Sequence, residues 1–367
     1  MSEQGEVKEP TVEEKLLDNI EKLKNKDSKF YFFTMDTKGN PTAAVANIYE
    51  HVKIMRNMGY DAYILHEKND YSGVGTWLGE EYTELPHLSI ESQQLKVNGY
   101  DFVIIPEIFA NVMEQTAGLP CKRIVLCQSY DYILEMMMPG KKWQDFGIDT
   151  CITTSEKQAE YIKQLFSNTI ETKIAPLSIP SYFKPSSKPK KPIIAIYTRD
   201  QRDTVKIFKS FYLKHPHLKW VSFRDMRSMP RERFAESLAE CCLAVWVDDI
   251  SGFGTFPLEA MKCGVPVLGK VPSIVPEWME DKNGLWTHDI LAIPDLTSNF
   301  VQAWLEDMAP EDLYEKMSEV SEKYTEEEQV EKLTELYTGI VNDRIKEFES
   351  HLPTEEVVED NTQENTK

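Results

Sequence analysis

Apolar runs alternate with amphipathic segments along most of this chain, the pattern of parallel α/β layers. A charged stretch over 12–26 reads as a helix, and strand-like runs follow over 30–35, 62–66, 102–106, 123–128 and 150–153. Helical periodicity fills the gaps between them, over 43–58, 108–117, 130–137 and 156–166. A Pro- and Lys-rich break over 179–192 interrupts the pattern, and the alternation then restarts. Strands are expected over 193–197, 219–223 and 243–247, with helices over 204–214 and 230–239.

The expected fold class is therefore α/β: two doubly wound, Rossmann-like domains facing a central cleft. The first domain is expected over 1–182, a linker over 183–192 and the second domain over 193–309. Residues 310–348, rich in Glu, Lys and Leu at helical spacing, predict C-terminal helices. From about 351 to 367 the chain is acidic and lacks aromatics, the composition of a disordered tail.

Composition narrows the function. The chain has 41 basic and 61 acidic residues, a formal net charge of −20, which argues against nucleic acid as the main partner. The six cysteines lack metal-ligand spacing and most lie in or beside apolar runs, as buried thiols do in a reducing, cytoplasmic setting. No stretch approaches the roughly 18 consecutive apolar residues of a transmembrane helix, and no export signal opens the chain. Peripheral contact with a membrane surface stays open.

The most informative segment is Trp246 to Leu268. An apolar run feeds a loop containing Gly252 and Gly254, followed by a helix that Pro257 can open, with Glu259 inside it and Gly264 at its end. Glycines let backbone N–H groups approach a phosphate, and a helix N-terminus carries unpaired donors and partial positive charge. A carboxylate one turn in, at Glu259, can accept two ribose hydroxyls. The same residues also serve ordinary turn and helix-start chemistry, so a purely structural loop is the competing reading.

Around this loop the chain resembles the group 1 retaining glycosyltransferases of the GT-B fold, the superfamily of glycogen synthase and sucrose synthase. Their hallmark is two glutamates separated by seven residues around a Gly-Phe-Gly loop. Ser251-Gly-Phe-Gly-Thr-Phe-Pro-Leu-Glu259 keeps the loop, the spacing and the second glutamate, with Ser251 in place of the first. The resemblance continues through Ala260 to Val267, Pro276-Glu277 and Asp281 to Gly284, and back through Phe234 to Val245. It covers roughly residues 191–307 well and the first half weakly.

The resemblance implies sugar transfer from a nucleoside diphosphate sugar to a glycan, lipid-linked or small-molecule acceptor, with retention, as in polysaccharide biosynthesis. The donor is a substrate and no cofactor is implied. No Asp-x-Asp pair occurs in the sequence, so metal-independent chemistry is expected. Glu259 would hold the ribose, and Gly252, Phe253, Gly254, Thr255 and Phe256 the sugar and phosphates. Arg199 matches the family's diphosphate arginine and Arg202 stands approximately where it has a lysine. Gly39 and Asn40, in the loop after the first strand, are candidates beside sugar and acceptor. Gln128 occupies the place of a donor-contacting histidine. The candidate catalytic positions are thus Gln128, Ser251 and Arg199, two of them altered from the family pattern. Those alterations leave open a non-catalytic GT-B binding or scaffolding module, and a sugar-nucleotide epimerase is a further alternative. The family's terminal helix implies that 310–350 packs back on the first domain.

Overall fold

The computed structural model describes residues 10–75, 77–92 and 95–353. Of the expected acidic tail over 351–367, residues 354 onward lie outside the described residues. The strands are β1 (Lys29–Phe33), β2 (Asp61–His66), β3 (His87–Ser89), β4 (Phe102–Pro106), β5 (Lys122–Cys127), β6 (Thr150–Thr153), β7 (Glu171–Ile174), β8 (Lys191–Thr198), β9 (Ser222–Asp225), β10 (Cys241–Val247), β11 (Val267–Lys270) and β12 (Leu285–Thr287). They form a seven-stranded sheet in the order β3-β2-β1-β4-β5-β6-β7 and a five-stranded sheet in the order β12-β11-β10-β8-β9, parallel throughout.

Alternation along β1 explains why the first sheet is covered on both faces. Phe30 and Phe32 enter one core beneath the helices Ala43–Asn57 and Glu326–Ser350, while Tyr31 and Phe33 enter the other, with Trp143 and Ile162. In the second sheet all seven residues of β10 are buried. The short strands β3, β7 and β12 escaped the sequence reading because each lies at a sheet edge, with partial burial and weak apolar signal. The second strand of the second half, expected over 219–223, begins at Ser222 because residues 216–218 form a 3₁₀ turn.

Core membership corrects two expected boundaries. Ala175 packs with the first domain, but Ile179 and Phe183 are already fully buried in the second, and Lys191 opens β8. The chain thus crosses between domains just before the Pro-rich 183–192. At the other end, the helix Glu311–Ser321 packs Leu313, Met317 and Val320 into the second core. Only the helix Glu326–Ser350 returns to the first domain, through Leu333, Tyr337, Ile340 and Phe348. Its start is fixed by Thr325, whose side chain accepts the Glu328 N–H, and three glutamates sit in its first turn where the helix dipole favours them.

The returning helix is pinned by Tyr337, whose hydroxyl lies 2.7 Å from Nδ1 of the fully buried His51. Burial holds the imidazole pKa down at about 3, so the native state favours neutral His51. That contribution is complete above the unfolded value of about 6.5 and is lost at about 1.4 kcal/mol per pH unit as pH falls toward 3. Urea titrations between pH 7 and pH 4 are expected to give a shallower loss of stability for His51→Gln than for wild type; parallel slopes would contradict this role.

Candidate functional site

Each sheet has one point where successive connections turn in opposite directions, between β1 and β4 in the first and between β8 and β10 in the second. Crevices at such points, beyond the C-terminal strand ends, are where α/β sheets bind ligands. Here the two crevices face each other across a cavity of about 480 Å³.

The second domain's wall is built from the ends of β8 and β10. Arg199 follows β8, its N–H donating to the Val247 carbonyl at 2.8 Å, and its guanidinium reaches across to the Tyr132 hydroxyl of the first domain. After β10, the buried Asp248 accepts the N–H groups of Ile250 and Ser251, both at 3.1 Å. Burial raises the Asp248 pKa despite those donors and the facing Arg199. Ser251 Oγ then accepts the Gly254 N–H at 2.9 Å. Gly254 adopts φ +74°, and a Cβ there would stand 2.9 Å from the Trp246 ring, so glycine is required on both counts. It is the N-cap of the helix Thr255–Lys262 without a side-chain cap, which leaves first-turn N–H groups free beside the cavity.

Glu259 lies in this helix, lines the cavity and is 2% exposed. Its Oε1 accepts from Arg231 Nη1 at 2.8 Å. Arg231 also donates from Nε to the Tyr182 hydroxyl at 3.3 Å, and from its backbone N–H to the Trp77 carbonyl of the first domain at 3.2 Å. Burial works against the Arg231 charge, but Glu259 and Tyr182 outweigh it and hold the guanidinium protonated beyond its usual range.

Phe253 and Phe256 are buried, the first edge-on to Tyr324 and the second stacked on Tyr197 with centroids 5.3 Å apart. Phe253, Thr255 and Phe256 also border the cavity. Gly252 does not: its carbonyl accepts from Ser155 Oγ at 3.0 Å, and a Cβ there would stand 2.0 Å from Gln158 Oε1. This glycine serves close contact between the domains, where a phosphate-binding role was expected.

On the first domain's wall, Gln128 follows β5 and lines the cavity. Its Oε1 accepts from Asn47 Nδ2 and its Nε2 donates to the Ala44 carbonyl, both at 3.1 Å. The amide therefore anchors the helix Ala43–Asn57, whose N-cap Thr42 makes no side-chain capping bond and whose first turn borders the cavity. Gly39 and Asn40 fall outside the lining: the exposed loop folds on itself, with the Asn40 N–H and Nδ2 both donating to the Thr37 carbonyl. Arg202 is also outside, because Asp200, the N-cap of its helix, accepts both its backbone N–H and its Nε at 2.8 Å.

Sequence reasoning places Arg227 and Arg231 only among scattered arginines that could form a local anion site and gives no role to Tyr132 or Glu107; all four line the cavity. A usable signal existed for Arg231, directly after Pro230 at a helix start, and for Glu107, directly after an uninterrupted apolar strand. Among the described residues no three His, Cys, Asp or Glu side chains cluster as a metal site, and no helix is long and apolar enough to cross a membrane.

The Gly252 contact makes a sharp stability prediction. Gln158 is fully buried and held by Thr154 Oγ1 and the Cys127 carbonyl, so it cannot swing away from a new methyl group. Gly252→Ala is expected to cost about 1–3 kcal/mol in urea unfolding. Adding Gln158→Ala should recover part of that loss, and strictly additive losses would refute the contact as its cause.

No family model matches the chain. Over 224 residues, 60% of this chain and 66% of the relative, it is 24% identical to an alpha-1,6-glucosyltransferase of Actinobacillus pleuropneumoniae serotype 7, so the match spans slightly under two thirds of that protein. Among solved structures, the pneumococcal O-GlcNAc transferase GtfA in complex with UDP and GlcNAc superposes with a TM-score of 0.60 at 10% identity, covering 87% of this chain and 99% of that one. Sucrose-phosphate synthase from Thermosynechococcus elongatus gives 0.62 at 13% identity, covering 86% and 100%. These likenesses bear out the expected architecture: the chain has the GT-B fold of glycosyltransferases, two Rossmann-like domains facing a central cleft.

Proposed function

We propose that this chain is a glycosyltransferase that moves a sugar, glucose in the first instance, from a UDP donor to a hydroxyl of a glycan or lipid-linked acceptor. The observation that carries the reading is the convergence of Arg199, the Arg231–Glu259 pair and two uncapped helix N-termini on one cavity, whose volume lies within the roughly 300–1,000 Å³ of ligand sites. The UDP held by the pneumococcal relative and the glucosyl transfer named for the Actinobacillus relative supply the choice of base and sugar.

In this reading Glu259 accepts the ribose hydroxyls, while Arg199 and the free N–H groups before Phe256 take the charge developing on the departing diphosphate. Arginine and backbone donors suffice for that task, so a metal is not required. The bond from sugar carbon to diphosphate oxygen breaks as the bond to the acceptor oxygen forms on the same face. The acceptor's proton passes to the leaving oxygen, and configuration is retained without a protein nucleophile. A cytoplasmic setting fits the six buried free thiols.

One observation favours the rival reading of a binding module without turnover. Ser251 Oγ is occupied by the Gly254 N–H and both ends of the Gln128 amide by the helix Ala43–Asn57, so both altered positions do structural work. UDP binding with no sugar release in the presence of any acceptor would support it.

Calorimetric titration with UDP tests the donor site. Glu259→Gln and Arg199→Ala are each expected to weaken binding by about 1.5–3 kcal/mol, the scale of a lost hydrogen bond to a charged group. Arg202→Ala, outside the cavity, should stay within about 0.5 kcal/mol. Glu259→Ala is a poorer probe, since it also strands the partly buried Arg231 guanidinium and so costs stability as well as affinity. UDP affinity that survives both Glu259→Gln and Arg199→Ala would sink the assignment.

A further inference from the structure

Three carboxyl groups line the cavity, and one of them has no cation. Glu259 is paired with Arg231, and Asp248 faces Arg199. Glu107, 3% exposed, follows the wholly buried strand β4 and makes no salt bridge among the described residues. Its Oε1 accepts the Ser129 N–H at 2.7 Å, and the backbone N–H groups of Gln128 and of Glu107 itself also favour the carboxylate. Burying an acid without a compensating cation is costly even where backbone N–H groups reach it, and a glutamine or an apolar residue could end the strand more cheaply. Such a group in a ligand cavity points to function. Burial pushes its pKa up to about 7, against the backbone donors of Gln128, Glu107 and Ser129.

Its place in the topology suggests what it meets. Glu107 stands at the crevice between β1 and β4, the first domain's own ligand position, across the cavity from the wall that carries Arg199 and Glu259. We infer that Glu107 receives a hydroxyl of the sugar acceptor, making this crevice a subsite for a neutral, hydroxyl-bearing glycoside and excluding an anionic group at that point. The inference rests on the donor reading above only for what occupies the opposite wall. Protonated Glu107 can still hydrogen-bond a hydroxyl, but the carboxylate is the stronger acceptor, so binding strengthens as the group ionises.

The other titratable groups around it are few. The Cys127 thiol of β5 is driven far above its usual range by burial and stays neutral. The first turn of the helix Ala43–Asn57 contributes no acid. Across the cavity stand Arg199, Arg227 and Arg231, which do not titrate near neutrality, and the carboxylates Asp248 and Glu259. Asp248 is the one group whose raised pKa could mimic the effect, and an isosteric change at Glu107 separates the two.

Saturation-transfer NMR with methyl α-glucoside on the full chain, saturated with UDP, at about pH 5.5 and pH 8.5 tests the assignment. Wild type should bind the glucoside about tenfold more tightly at the higher pH, and Glu107→Gln should lose that gain while keeping its UDP affinity, which also reports an intact fold. An unchanged pH dependence in Glu107→Gln would overturn the inference. So would the absence of glucoside binding to UDP-saturated wild type at about 50 mM, or a joint loss of UDP and glucoside affinity that would put Glu107 in the donor wall. If wild type binds no UDP, the donor reading fails instead, and the same glucoside titrations without UDP decide the role of Glu107.

Discussion

Arg231 and Glu259 meet at 2.8 Å, the carboxylate almost wholly buried and the guanidinium largely covered, and much of the cleft depends on that contact. Either charge alone would be strongly unfavourable there, so each requires the other. The pair also ties separate parts of the molecule together. Glu259 belongs to the helix after the glycine loop, while Arg231 begins the helix Arg231–Ala239 and donates its N–H to Trp77 of the first domain. Its guanidinium lies over the Phe183 ring, 5.2 Å from the centroid, in the segment where the chain enters the second domain. One ion pair thus sets the carboxylate of the second wall, the start of a core helix and part of the domain seam.

The seam is closed on one flank by direct contacts between the strand-end loops. Tyr130 donates to the Asp249 carbonyl at 2.6 Å, Ser155 to the Gly252 carbonyl at 3.0 Å, and the Glu156 N–H to Glu277 at 3.3 Å. The chain passes between domains once near 176–178 and once between the helices Glu311–Ser321 and Glu326–Ser350, so two strands of chain bridge them elsewhere. Parallel sheets put their binding crevices at one end only, and these constraints turn the two ends toward each other.

How much of this could be read from the residues follows the range of the interaction that decides each feature. Fully buried central strands declare themselves by unbroken apolar runs, and β1, β4, β5 and β10 were all legible. Edge strands gave little signal because their burial is partial. Glu259 was legible because it sits in the same local motif as the glycines. Arg231 was not, since its pairing with Glu259 spans 28 residues of chain and its neighbourhood reads as scattered arginines. Arg202 misled for the opposite reason: a local acid, Asp200, satisfies it before any distant ligand can. Gly252 leaves no room for a side chain, and the neighbour that demands this is Gln158 of the other domain.

The cavity's carboxyls differ in how their charge is met. A paired buried acid is satisfied by the protein itself, and it keeps a fixed geometry whether or not a ligand is present. One without a cation keeps acceptor capacity for whatever enters the cavity, and its preference selects hydrogen-bond donors over anions. Glu259 and Glu107 occupy the two facing crevices in these two conditions, one braced by Arg231 and the other held only by backbone N–H groups. Under the proposed function, the charge-compensated wall is the one that faces the nucleotide. Under the same reading, the wall whose carboxyl lacks a cation faces the hydroxyl-bearing acceptor, and that asymmetry rests on burial and pairing.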